Sequence, residues 1–187
     1  MSRKKVILSI VLVILIVMAG IVFYLGVFYN RNREGVIIPE ERLKVLYDNS
    51  YKYYLLREGD ISKISGDEGY SLDGKSYDVI DGFKGMEDID RLINDTFIPI
   101  YRERFYKELF SSREFMEMDG KLYYDNSDRV FCDTVHISYD SLVVTKGEGD
   151  GKANIRAGDV MIGAYFDGDD WYLSGPLFSC NADIGEE

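Results

Sequence analysis

From Val6 to Tyr29 the chain runs for 24 residues without one charged side chain. As a helix the run is roughly 36 Å long at about 1.5 Å per residue, enough to cross a hydrocarbon core of about 30 Å with some tilt. Tyr24 and Tyr29 lie towards its far end, where amphipathic rings favour the membrane interface. The pattern predicts a transmembrane anchor over 6–29, after a tail at 1–5 too short to form a cytosolic domain. A cleaved signal peptide is the rival reading: Val17-Met18-Ala19 offers a small-residue site, and Arg3, Lys4 and Lys5 a basic start. The run continues to Tyr29 beyond that site, which favours an uncleaved anchor. No cysteine closes the run, so a lipid anchor is excluded; the two cysteines are Cys132 and Cys180.

The flanks are close to balanced, with Arg3, Lys4 and Lys5 before the run and Arg31, Arg33, Arg42 and Lys44 after it. The first cluster is dense and abuts the helix, whereas Glu34, Glu40 and Glu41 dilute the second. This predicts a single-pass protein of the cell membrane with its C-terminal domain outside. All 33 acidic residues lie beyond the run, against 19 of the 22 basic ones, which leaves −14. Such a field repels nucleic acid, anionic lipid and anionic polymers, and favours a basic protein partner or multivalent cations. The plainer reading is that the charge keeps the domain soluble.

Residues 30–38 read as a linker, 39–182 as one extracytoplasmic α+β domain, and 183–187 as an acidic tail. A helix is expected from Pro39, with Glu40 and Glu41 suited to its first turn. Leu43, Leu46, Tyr47, Tyr51, Tyr54 and Leu55 recur at helical spacing and form one apolar stripe ending near Gly59. From Asp60 to Lys75 the chain reads as loop or weak strand, and from Ser76 to Asp81 as strand. Met86, Ile89, Leu92, Ile93 and Phe97 mark a second helix, and Pro99 separates it from a third capped by Thr96. Asp119-Gly120 predicts a hairpin between Phe115–Met118 and Lys121–Tyr124. Further strands are expected at Val130–Tyr139, Leu142–Lys146, Asp159–Phe166 and Trp171–Ser174. The turns between them fall at Tyr139–Ser141, Gly147–Lys152 and Asp167–Asp170. Helices followed by an antiparallel meander predict helices packed on one curled sheet.

Little in the chain points to catalysis. On the expected strand the only histidine, His136, shares a polar face with Cys132, about 13 Å away, too far for a nucleophile–base pair. Asp167-Gly168-Asp169-Asp170 lacks the ligand spacing of a calcium loop and reads as a hairpin turn. Gly147-Glu148-Gly149-Asp150-Gly151-Lys152 lacks the spacing of a phosphate loop, and its carboxylates repel phosphate. It reads as a mobile turn or a binding loop. Tyrosines such as Tyr51, Tyr53, Tyr54, Tyr123 and Tyr124 suit either a core or a protein-binding surface. Cys132 and Cys180 either pair, closing a loop of about 49 residues worth about 4 kcal/mol in the chain-entropy model, or stay as thiols. The candidate partner-binding residues are therefore Glu148, Gly149, Asp150, Tyr123 and Tyr124. No catalytic residue, metal ligand or cofactor is expected.

Tyr51-Lys52-Tyr53-Tyr54-Leu55-Leu56-Arg57-Glu58-Gly59, then Gly74-Lys75-Ser76-Tyr77, Thr96-Phe97 and Asp119-Gly120-Lys121-Leu122-Tyr123 come in an order that resembles the IseA/YoeB-type family of extracellular DL-endopeptidase inhibitors from Gram-positive bacteria. Asp170-Trp171-Tyr172-Leu173 adds a weaker echo. The resemblance implies a helix-plus-sheet fold without a cofactor, which blocks a cell-wall hydrolase by occlusion through a protruding loop. A retained anchor departs from that family and implies control at the membrane face. The competing reading is a cystatin- or NTF2-like module serving as an assembly subunit of a membrane complex; a small hydrolase is the third.

Overall fold

The computed structural model describes residues 38–127 and 137–180. The apolar run over 6–29 lies outside them. Among the described residues no helix is long and apolar enough to cross a membrane.

Helix α1 (Glu40–Arg57) follows Pro39, with Glu40 and Glu41 in its first turn and Arg57 in its last, each complementing the helix dipole. It ends where the Glu58 and Gly59 amides both donate to the Tyr54 carbonyl, at 2.9 and 3.0 Å. A Cβ on Gly59 would sit 2.6 Å from the Tyr54 ring, so the chain turns away at the one residue that fits. A 3-10 turn (Ile61–Ile64) leads into β1 (Ser65–Leu72) and β2 (Lys75–Ile80). Helices α2 (Met86–Thr96) and α3 (Pro99–Ser112) come next, then β3 (Phe115–Met118) and β4 (Lys121–Asp125). After the 3-10 turn Tyr139–Ser141 the chain forms β5 (Val143–Lys146), β6 (Lys152–Ala157), β7 (Val160–Phe166) and β8 (Trp171–Leu173).

The strands form two antiparallel sheets rather than one curled sheet. The first has the order β1-β2-β4-β3, and the second is the meander β5-β6-β7-β8. In the first, α2 and α3 lie in sequence between β2 and β3, while β2 pairs with β4 through Val79↔Tyr123. Both of its hairpins close on Asp-Gly with both residues at positive φ, 51° and 82° at Asp73-Gly74 and 53° and 69° at Asp119-Gly120. That geometry matches the twist of the flanking strands.

Other expectations are corrected in detail. Of the two readings of Asp60–Lys75 the strand holds, as β1 with an irregularity between Ser65 and Gly69, and β6 is a separate strand. Thr96 ends α2 rather than capping α3: its hydroxyl donates back to the Leu92 carbonyl at 2.5 Å. Phe97 and Ile98 are extended, and Pro99 opens α3, where its missing N–H costs nothing. Of the strand expected at Val130–Tyr139, residues 130–136 lie outside the described set, and the turn expected at Tyr139–Ser141 is a 3-10 turn.

Nor is α1 simply amphipathic. Tyr53, Tyr54, Leu55 and Leu56 are four consecutive buried residues, so the end of the helix is covered well beyond one stripe, with Lys52 left exposed. On one side Tyr53 meets Phe97 and Phe105, with ring centroids 5.0 and 5.7 Å away, and its hydroxyl donates to the Phe105 carbonyl. Burial pushes the Tyr53 phenol up to about 12, so it stays a donor. On another side a C-terminal strap crosses the helix. There the Leu177 amide donates to the buried Ser50 hydroxyl at 2.7 Å, and Phe178 packs edge-on against Tyr47 and Tyr51. The Cys180 amide donates to the Glu58 carboxylate at 2.9 Å, and Cys180 is disulfide-bonded. Cys132, the only other cysteine, lies outside the described residues.

The second sheet is tied to the helices at β8. Ile98 donates to the Leu173 carbonyl at 3.0 Å, and Phe97 bridges Leu173 in parallel. From α1, Arg42 donates to the carbonyls of Trp171 and Asp95, pairs with Asp170 at 2.8 Å, and lies over the Tyr172 ring.

Candidate functional site: the acidic end of the second sheet

The register of the second sheet decides which loops meet. Lys146 pairs with Ala153, Lys152 with Tyr165, and Phe166 with Trp171. The β5–β6 loop (147–151) and the β7–β8 turn (167–170) therefore leave the sheet at the same end. Glu148, Asp150, Asp167 and Asp169 are exposed there. Among the described residues none of these four forms an ion pair, and Arg42 engages only Asp170 beside them.

The two loops are built differently. In the turn, the Asp167 carboxylate accepts the amides of Asp169 and Asp170, both at 3.0 Å. These bonds hold its carboxyl below the usual aspartate range. The β5–β6 loop closes on itself instead of extending: Gly147 donates to the Lys152 carbonyl at 2.9 Å, and Phe166 donates to the Gly151 carbonyl at 2.8 Å. A Cβ on Gly151, whose φ is 66°, would lie 3.2 Å from the Phe166 carbonyl. Gly149, at φ 104°, lets the tip reverse between the two carboxylates. The turn or binding loop expected at Gly147–Lys152 is thus a short tip pinned to β7, which presents Glu148 and Asp150 at low entropic cost.

A depressed pKa in the folded state means that the Asp167 contribution to stability is present above the unfolded aspartate pKa and fades as pH falls through the folded one. A carboxyl titration by NMR should place the Asp167 midpoint below the usual aspartate range. Asp167→Ala should remove that midpoint and raise amide exchange at Asp169 and Asp170. A midpoint in the ordinary range would show that the turn does not hold the charge.

The remaining candidates fall elsewhere. Tyr123 is 6 % and Tyr124 1 % exposed, so neither belongs to a binding surface. The Tyr124 ring lies in the main core; Tyr123 packs with Tyr77 and Val79 on the opposite face of the first sheet. His136 lies outside the described residues, as Cys132 does.

A cleft of about 610 Å³ lies over an irregularity in β1 between Ser65 and Gly69 and is lined by Ser65, Glu68, Asp81, Lys84 and Lys121, among others. Glu68 and Lys121 pair with each other, and the Ser65 hydroxyl donates to the Ile61 carbonyl at 2.9 Å. Its lining holds no histidine or cysteine. Among the described residues no group of three or more histidine, cysteine or acidic side chains is placed to hold a metal ion.

Compared with known proteins, the chain matches no family model, no curated protein and no solved structure.

Proposed function

We propose that this chain is a non-enzymatic binding protein, held in the cell membrane through 6–29, whose outer domain binds and inhibits or modulates a basic-surfaced cell-wall peptidase. The observation that carries this reading is the end of the second sheet, where four exposed carboxylates without ion-pair partners share one rim. Holding like charges together on a folded rim is unfavourable in isolation and is relieved when a basic surface docks. The resemblance to IseA/YoeB-type inhibitors supplies the class of partner. The anchor would confine the encounter to the membrane face of the wall.

The test uses the full chain in nonionic detergent with a DL-endopeptidase acting on peptidoglycan. Replacing Glu148 and Asp150 by serine should raise the concentration needed for half-inhibition about tenfold at low salt. The difference should shrink towards unity at about 0.5 M salt, because rim charge acts mainly on association rate and is screened. The melting temperature should not move, both residues being exposed. Equal inhibition by the double variant at low salt would remove the acidic end from the mechanism. Topology is checked separately: a membrane-impermeant thiol reagent should label a cysteine placed just beyond Arg33 in intact cells. Labelling only after permeabilisation would reverse the orientation.

A further inference from the structure

The same sheet carries a second surface of opposite character. The register places Val143 and Thr145 of β5, Lys152 and Arg156 of β6, and Met161 and Tyr165 of β7 on one outward face. The alternate positions, Ala153, Ile155, Ala157 and Ala164, are buried in the core. In a chain with 33 acidic residues, none of the outward positions along these four strands is acidic. Met161 is 65 % exposed and Val143 42 %, and Lys152 stands over the Tyr165 ring at 5.8 Å. Exposed apolar groups with flanking cations have the layout of an interface with an apolar middle and a charged margin.

We propose that this outward face docks an acidic protein segment with alternating apolar residues, distinct from the basic partner assigned to the acidic end. Charge decides among the occupants. A second copy brought on by a two-fold axis would set this acid-free face against itself and leave Lys152 and Arg156 with no carboxylate to meet, which disfavours it. Arg42 and Arg102 stand over Tyr172 on the same face but are engaged by Asp170 and by the Trp171 and Phe97 carbonyls, so Lys152 and Arg156 are the cations left to meet a ligand, and the domain's net charge of −14 repels an anionic membrane or a long polyanion at longer range. A short acidic segment avoids that cost, because its carboxylates need only reach Lys152 and Arg156 while its apolar side chains cover Met161 and Val143. Strands about 4.8 Å apart and about 20 Å long give the face roughly 300–400 Å². This is well below the roughly 800 Å² per partner of a stable complex, so the contact is weak and transient.

The test measures fluorescence anisotropy of labelled synthetic peptides on the full chain in nonionic detergent. The probes are a peptide alternating glutamate with leucine, the same peptide with lysine for glutamate, and one with serine for leucine. The glutamate–leucine peptide should bind with micromolar affinity, and the other two at least tenfold more weakly. Lys152→Glu with Arg156→Glu should weaken it tenfold or more, and Met161→Ser several-fold, with unchanged thermal melts because all three residues are exposed. Glu148→Ser with Asp150→Ser should not weaken it, because carboxylates beside Lys152 can only oppose an acidic peptide. The proposal is overturned by no binding, by equal binding to the Lys152→Glu, Arg156→Glu variant, or by preference for the lysine peptide. It is also overturned if the same substitutions instead abolish binding to phosphatidylglycerol vesicles or self-association in sedimentation. No inhibition assay enters, so failure here leaves the acidic end as it stands.

Discussion

Replacing Phe97 by alanine is expected to destabilise the fold by about 3–5 kcal/mol, the range for a large aromatic removed from a packed core. Phe97 is fully buried and occupies the short extended joint between α2 and α3. Its ring meets Phe105 at 4.3 Å and Tyr53 at 5.0 Å, and its backbone bridges Leu173. The one residue therefore touches α1, α3 and the last strand of the second sheet. Collapse around the void is hindered, because Ile98 and Pro99 fix the joint through the bond to Leu173 and the start of α3. Domains of this size are stable by only about 5–15 kcal/mol, and each kilocalorie moves the midpoint by roughly 2–4 °C. A loss of about 10 °C in a thermal melt is expected for Phe97→Ala and a much smaller one for Phe97→Leu. Ile100→Ala, three residues on but exposed, should leave the melt where it was. Equal melts for Phe97→Ala and Ile100→Ala would mean that the joint is not part of the cooperative core.

Elements whose pattern is local were legible in the sequence; pairings that depend on distant partners were not. Met86–Thr96 and Pro99–Ser112 follow from apolar spacing and one proline, and Asp119-Gly120 from a two-residue preference. Asp73-Gly74 carries the same signal and makes the same turn, yet the glycine- and serine-rich surroundings left loop and weak strand undecided. The strand β6 was obscured for another reason. Its inward residues include Ala153 and Ala157, whose small side chains give little alternation in hydropathy although both are buried. The division into two sheets has no local signature, since β2 and β4 pair across the whole length of α2 and α3.

The candidate site divides along the same line. Glu148 and Asp150 stand between glycines and were legible as an exposed tip. That Asp167 and Asp169 join them follows only from the register of the meander. Tyr123 and Tyr124 show the opposite error. Neighbours in a strand point to opposite faces, so two consecutive tyrosines cannot share one surface. Here both faces are covered: the inner by the main core, and the outer by Tyr77, Val79, Met116 and Met118. Burial pushes the Tyr124 phenol up from its ordinary value, as expected for a core group.

Reduction of the disulfide at Cys180 is the second change expected to have a large effect. The sequence leaves Cys132 as its partner within the chain. A bridge between them closes a loop of about 49 residues and in the chain-entropy model removes about 4 kcal/mol of unfolded-state freedom. Cys180 lies in the strap that crosses α1, where Leu177 donates to Ser50, Phe178 packs among tyrosines and Cys180 itself donates to Glu58. Without the bridge the strap keeps those contacts but must be ordered at greater entropic cost. Phe178 and Leu177 should then become the first core residues to open. Non-reducing mass spectrometry should find the Cys132–Cys180 linked peptide. Dithiothreitol should lower the melting temperature by roughly 8–15 °C, at about 2–4 °C per kcal/mol. Cys132→Ser with Cys180→Ser should reproduce that loss and make the protein insensitive to reductant. Hydrogen exchange should rise first at Leu177 and Cys180, ahead of Phe97 and Leu173. An unchanged melt on reduction, or linked peptides joining two chains instead of one, would deny the bridge a part in holding the strap on α1.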